Sequence, residues 1–124
     1  MSAYVELARP GNAIMASFSA LLGMLVIMGP DMADQEMLVP LVLGILVPFF
    51  VTAGGNALND YMDNRVDKVA HPGRPLPSGR LQPSQALWFS MGCFIIGVVL
   101  AAMIVTWTDI DLLPLLVAVL AVAS

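Results

Sequence analysis

The chain has 124 residues, 59% of them hydrophobic and only 11% charged. That is room for one domain, and a soluble domain would carry about a quarter charged residues, so a soluble globular protein is excluded and a membrane chain is indicated. The formal net charge of −4 says little about partners; where the charges lie says more, and no nucleic-acid partner is expected.

A spanning helix needs about 20 mostly apolar residues, and Gly11 to Gly29 is the first candidate. Its apolar part, Ala13 to Met28, has about the length of a signal peptide's core. Its flank carries one Arg and one Glu, however, and no A-x-A-like site closes it, so it reads as a retained span. Met37 to Leu58 is the second candidate and contains Pro40, Gly44, Pro48 and the Gly54–Gly55 pair. Pro48 and the glycine pair could bend this helix or let a neighbour pack closely. The third candidate is Ala86 to Trp107, bracketed by Trp88 and Trp107, which read as interfacial anchors. Cys93 lies inside it and, being the only cysteine, reads as inert packing. The methionines read as adaptable wall. A fourth apolar run starts near Leu112 and reaches Ser124, roughly 13 residues, too few to cross about 30 Å. The expectation is an all-α, multi-pass transmembrane bundle. Residues 1–124 would be the N-terminal part of a single, longer membrane domain, without internal repeat or low-complexity segment.

The charges sort by connection. Arg9 precedes the first span, and Arg65, Lys68, Arg74 and Arg80 lie between the second and third; these are all five Lys and Arg residues. The other connections carry Asp31, Asp34 and Glu36, then Asp109 and Asp111. The excess of Lys and Arg on cytoplasmic loops predicts that the N-terminus and the 65–80 loop face the cytoplasm of a cell membrane and the acidic turns face outward.

The stretch "NALNDYMDNRVDKVAHPGRPLPSGR", residues 56–80, concentrates polar groups at the end of a very apolar helix. On a helix advancing 100° per residue, Asn56, Asp60, Asp63, Asn64 and Asp67 fall within an arc of about 100°, and Asn59 widens it to about 140°. Three carboxylates on one stripe repel each other and are costly near hydrocarbon. Either the neighbouring Arg65, Lys68 and Arg74 offset them, or a divalent cation does. Mg²⁺ takes carboxylate oxygens, keeps several waters and often completes its shell with substrate phosphates. Asp60, Asp63 and Asp67 could face one metal–phosphate cluster, with Asn56 and Asn59 beside it. Arg has a planar fork suited to phosphate oxygens. Arg74 and Arg80 lie in a loop shaped by Gly73, Pro75, Pro77 and Gly79 that could fold back over the helix end. Lys68 is near, and Arg9 and Asn12 start the first span on the same side. Acids for Mg²⁺, cations for phosphate and an apolar bundle fit a substrate with a diphosphate at one end and a long hydrocarbon at the other. Metal and cations would stabilise a departing diphosphate, and the bundle would keep water from the allylic cation left behind. His71 reads as a plain loop residue that could also contact phosphate. Tyr61 and Met62, off the stripe, read as packing between helices.

The same stretch strongly resembles the signature of the UbiA superfamily of intramembrane prenyltransferases. Asn59, Asp60, Asp63 and Asp67 reproduce its N-D-x-x-D-x-x-x-D motif, and "RPLPSGR", Arg74 to Arg80, matches the R-P-x-P-S-G-R that follows it. The resemblance runs from about Ala8 to Leu87. It implies nine transmembrane helices around a cavity and Mg²⁺-dependent transfer of a prenyl group from a prenyl diphosphate. By motif position, Asn59, Asp60, Asp63 and Asp67 would bind the metal and through it the diphosphate, and Arg74, then Arg80, would contact the diphosphate. A second aspartate-rich motif, normally on a later helix, is not found in these residues. "LARPGNAIMASFSALLGMLV" together with "TAGGNALNDYMDNRVD" looks most like the archaeal branch. Those enzymes transfer a geranylgeranyl group to geranylgeranylglyceryl phosphate in membrane-lipid synthesis. An aromatic acceptor, 4-hydroxybenzoate or dihydroxynaphthoate, is the alternative within the family. Outside it stand an inactive membrane fragment and a transporter-like bundle, the latter calling for acids near the bilayer midplane.

Overall fold

Residues 2–30 and 35–108 are described by a computed structural model, and every regular element among them is helical. Helix α1 (Ala3–Ala8) is short and meets α2 (Pro10–Met28) at Arg9. A 3-10 turn (Gln35–Met37) leads into α3 (Leu38–Met62), followed by α4 (Asn64–Ala70) and α5 (Pro83–Thr108). α2, α3 and most of α5 are each long and apolar enough to cross a bilayer, where a helix satisfies all of its backbone groups internally. The acidic connection at Asp31 and Asp34, the residues Asp109 and Asp111, and the fourth apolar run from Leu112 lie outside the described residues. So does the side chain of Trp107.

Helix boundaries follow local chemistry. Pro10 takes the first position of α2, where its missing N–H costs nothing. α5 starts at Pro83 for the same reason, three residues before the expected Ala86, and Gln85 Oε1 accepts from the Gln82 N–H at 2.9 Å to cap it. α3 runs four residues past the expected Leu58, because the polar residues that end the apolar run remain helical. It also continues through Pro48. Pro48 has no N–H to offer the preceding turn, and in that turn the Ser17 hydroxyl of α2 donates to the Ile45 carbonyl at 2.8 Å.

Helices cannot be driven together by hydrophobicity in lipid, so close packing of small residues and interhelical hydrogen bonds must do it. α3 and α5 meet that way. A Cβ on Gly54 would stand 3.0 Å from the Phe94 ring and 3.1 Å from Cys93 Cβ, and one on Gly97 would stand 2.9 Å from Val51. The buried Ser90 hydroxyl donates to the Gly54 carbonyl at 2.8 Å. Of the two roles open to the glycine pair, Gly54 serves close approach, while a Cβ on Gly55 would meet nothing within 4 Å.

The polar end has a small core of its own. Leu7 of α1, Ala57 of α3, Leu76 and Leu81 of the loop and Ala86 of α5 cluster there, with Ala3 and Phe89 against them. The loop is compact because its backbone bonds to itself. Ser78 N–H donates to Arg74 O at 3.0 Å, Gly79 N–H to Leu76 O at 3.1 Å and Leu81 N–H to Pro75 O at 3.1 Å. The turn needs Gly79 at φ 81, a region open to glycine without steric cost. Tyr61 and Met62 are not covered by any of the described helices: they are 37% and 71% exposed, on the side of α3 away from α1 and the loop.

Candidate active site

The polar stripe is not uniform. Asp60 and Asp67 are 2% and 3% exposed, whereas Asn59 and Asp63 lie exposed and Asn56 and Asn64 are half-buried. The helical phase explains the division. Measured from Asn56, Asp60 and Asp67 stand at about 40° and 20°, toward α1 and the loop, and Asp63 and Asn59 at about −20° and −60°. The boundary of burial falls inside the arc. The helix is also not continuous. Asp63 has φ −92 and ψ 9 and separates α3 from α4, although i→i−4 bonds flank it, Asp63 N–H to Asn59 O and Asp67 N–H to Asp63 O, each 2.8 Å. The three aspartates therefore do not converge on a point, and among the described residues no three acidic, His or Cys side chains form a cluster fit for a metal.

What does converge is two acids and two arginines. Arg9 Nη2 donates to Asp60 Oδ1. Arg74 Nη1 donates to Asp67 Oδ1 at 3.0 Å and lies 3.9 Å from Asp60 Oδ1. The carboxylates are almost fully buried and the arginine side chains about a third exposed, 31% and 32%. The four charges cancel, and burying such acids without partners would cost several kcal/mol each. His71 Nδ1 adds a contact of 3.4 Å to Asp67 Oδ1.

Arg9 is held by more than its side chain. It is the one non-glycine residue of positive φ among the described residues, at φ 49, a conformation that costs an L-residue about 1–2 kcal/mol. Its N–H closes α1 onto Val5 O and Glu6 O. Asn56 Nδ2 donates to the Ala8 carbonyl at 2.9 Å, fixing the residue before Arg9 to α3 one turn ahead of Asp60.

Among the described residues two buried side-chain oxygens have no partner: Asp67 Oδ2 and Asn64 Oδ1. A buried carboxylate oxygen without a donor is costly, and a hard cation is one remedy for it. Mg²⁺ commonly uses only one or two carboxylates with waters and substrate phosphates. Asp67, with Asp63 and Asn59 on the adjoining exposed edge, is thus a donor set of the right chemistry for Mg²⁺ even without three converging acids.

Other expected site residues stand apart. Arg80 turns away from the acids: its Nη2 reaches Glu6 Oε2 at 2.5 Å and Gly73 O at 2.8 Å, and its Nε reaches Ser78 Oγ at 3.2 Å. Lys68 and Asn12 are exposed. Glu6, not among the expected residues, lies on α1 and finds its partner 74 residues away, a pairing that no local pattern signals. Beside Arg9, an apolar recess of about 300 Å³ is lined by Ala8, Phe49, Phe50, Ala53, Phe89, Gly92, Cys93 and Ile96. The polar cluster and the apolar recess thus adjoin, the two environments that a molecule with a charged head and an apolar tail requires.

Residues 16–124 match the UbiA prenyltransferase family. The digeranylgeranylglyceryl phosphate synthase of Methanopyrus kandleri is 46% identical over 104 residues, covering 84% of this chain and 36% of that protein. The synthase of the same name from Thermococcus kodakarensis is 39% identical over 107 residues, covering 85% and 36%. A solved structure from work on digeranylgeranylglyceryl phosphate synthase in membranes superposes with a TM-score of 0.81 at 34% identity, covering 95% of this chain and 39% of that one. The chain therefore spans little more than a third of the length of these relatives.

Proposed function

The chain belongs to the UbiA prenyltransferase family, and from that premise we propose that it carries the donor-activating part of a membrane prenyltransferase. The reaction is transfer of a geranylgeranyl group from its diphosphate to geranylgeranylglyceryl phosphate. The acceptor follows from the synthases it resembles, which are named for the doubly prenylated product. A bilayer location accords with the three apolar helices. The observation that carries the reading is the neutral cluster of Asp60, Asp67, Arg9 and Arg74 at the end of α3, with an unpartnered carboxylate oxygen on Asp67.

In this reading Asp67, Asp63 and Asn59 hold Mg²⁺. When bound, the metal supplies charge neutralisation for the diphosphate as it departs. Arg9 and Arg74 present guanidinium donors to the diphosphate oxygens in the planar arrangement that phosphate favours. Because the four protein charges already cancel, metal and polyanion are best accommodated together, each offsetting the other. The loop and α1 close over the head group, and the spans exclude water from the allylic carbon. Asp60 and Asp63 stand within two residues of the last residue of α3 and Asp67 lies beyond it on α4, which disfavours an ion pathway through the midplane.

The test uses membranes containing the full-length protein. Label should pass from geranylgeranyl diphosphate to geranylgeranylglyceryl phosphate and not to 4-hydroxybenzoate, and EDTA should abolish the transfer. Asp63→Ala should lower the rate by orders of magnitude at unchanged expression. Normal transfer in that variant would remove Asp63 from the metal site, and transfer to the aromatic acceptor alone would move the protein to the quinone-forming branch.

A further inference from the structure

The two buried acids share an arginine and are otherwise in different situations. Asp67 keeps one oxygen unpartnered. Asp60, as buried as Asp67 (2% against 3% exposed), takes Arg9 and, at 3.9 Å, Arg74 on the same oxygen, so it faces two guanidinium groups where Asp67 faces one together with His71. A divalent cation at Asp60 would sit among two guanidinium charges at close range, where repulsion is only weakly screened. We propose that Asp60 is a positioning residue, which holds Arg9 toward the diphosphate and does not bind the metal.

The proposal rests on the prenyltransferase reading and divides its acidic stripe by function. Arg9 is fixed from three sides. Its backbone is set at φ 49 between α1 and α2; Asn56 ties the preceding carbonyl to α3; and Asp60, one turn further along α3, holds its guanidinium. A side chain only tethered by surface charge would need none of these. With about a third of the Arg9 side chain open, and only Nη2 engaged among the described residues, the remaining N–H donors are free for an anion. The exposed edge of the stripe, Asp63 and Asn59 with Asp67 behind them, is left for the cation. The stripe is thus split into a side that holds a cationic side chain and a side that holds a metal ion.

The experiment compares wild-type full-length protein with Asp60→Asn, Arg9→Gln, their double variant and Asp63→Asn. It measures the KM for the prenyl diphosphate and, apart from turnover, the affinity for Mn²⁺ by electron paramagnetic resonance. Asp60→Asn and Arg9→Gln should each raise the donor KM by about tenfold to a hundredfold, the range for losing a charge-assisted hydrogen bond. The double variant should be no worse than the poorer single, since both remove the same contact. Mn²⁺ affinity should hold within about threefold in both and fall only in Asp63→Asn, the loss usual for a metal ligand being larger. An Mn²⁺ affinity that falls tenfold or more in Asp60→Asn makes Asp60 a ligand and overturns the proposal, as does an unchanged donor KM in Arg9→Gln. If Asp60→Asn fails to accumulate, Asp60→Glu retains the charge and displaces the guanidinium; it should raise the donor KM with Mn²⁺ binding intact, and weakened Mn²⁺ binding again overturns the proposal. A wild-type protein that transfers no prenyl group removes the prenyltransferase reading and this proposal with it, whereas an active wild type with the opposite variant pattern removes only the proposal.

Discussion

Glu6 and Arg80 lie outside the spans and bind α1 to the loop. The hydrogen bond from Arg80 holds the Glu6 carboxyl below its ordinary value of 4.5, and Glu6 holds Arg80 up. For a carboxylate with a depressed folded-state value, the stabilisation is present above the unfolded value and is lost as pH falls through the folded one. Replacing Glu6 by Gln should therefore lower the melting temperature slightly at neutral pH, and the gap from wild type should close as pH drops below about 4.5. A gap that stays constant with pH would mean that Glu6 acts through packing alone. The effect is small because exposed ion pairs are weak. At this scale the identities of the polar residues were legible in the sequence, and their division of roles was not. The angular order of Asp60, Asp67, Asp63 and Asn59 follows from helix geometry, but which edge of the arc is buried depends on α1 and the loop. Those arrive from 51 and 14 residues away, through Arg9 to Asp60 and Arg74 to Asp60.

The elements were easier to read. Each span shows in the apolar run, and the departures are confined to ends where polar residues remain helical, as at Asn59 to Met62, or where a proline starts a helix, as at Pro83. α1 escaped notice because six residues have no period to display; it is held by Leu7 in the polar-end core and by the Tyr4–Phe89 ring contact at 5.5 Å. The packing of α3 on α5 makes a prediction that concerns elements and not chemistry. Gly54→Leu would drive a side chain into Phe94 and Cys93 and separate the helices. Overpacking of this kind typically costs about 1–3 kcal/mol. Ser90→Ala removes only one interhelical hydrogen bond, about 0.6 kcal/mol on average in membrane proteins. In detergent-solubilised full-length protein, thermal unfolding should rank wild type above Ser90→Ala above Gly54→Leu. Equal midpoints for the two variants would mean that close approach at Gly54 does not hold the pair.

At the scale of the whole molecule, the distribution of charge predicts a sidedness. All five Lys and Arg residues lie before α2 or between α3 and α5, so the end carrying α1, α4 and the loop is cationic as well as acidic. The opposite end, where the 3-10 turn begins α3, carries Glu36. Along the spans, Ile14, Phe18, Val26, Ile27 and Ile95 stand exposed, faces fit to be covered by lipid or further helices and unfit for water. Basic loops are retained on the cytoplasmic side, so the site is expected to open toward the cytoplasm, where a charged diphosphate can reach it without crossing hydrocarbon. Single cysteines test this in a full-length, cysteine-free background in which Cys93 is replaced by Ala, which keeps the Cβ that Gly54 packs against. A cysteine replacing exposed Ser78 in the loop should resist a membrane-impermeant maleimide in intact cells and react once the membrane is permeabilised. A cysteine replacing Glu36 should react in intact cells. The reverse pattern would turn the molecule over. The donor would then have to approach from outside, and the five cations would be serving the site alone, with no part in orientation.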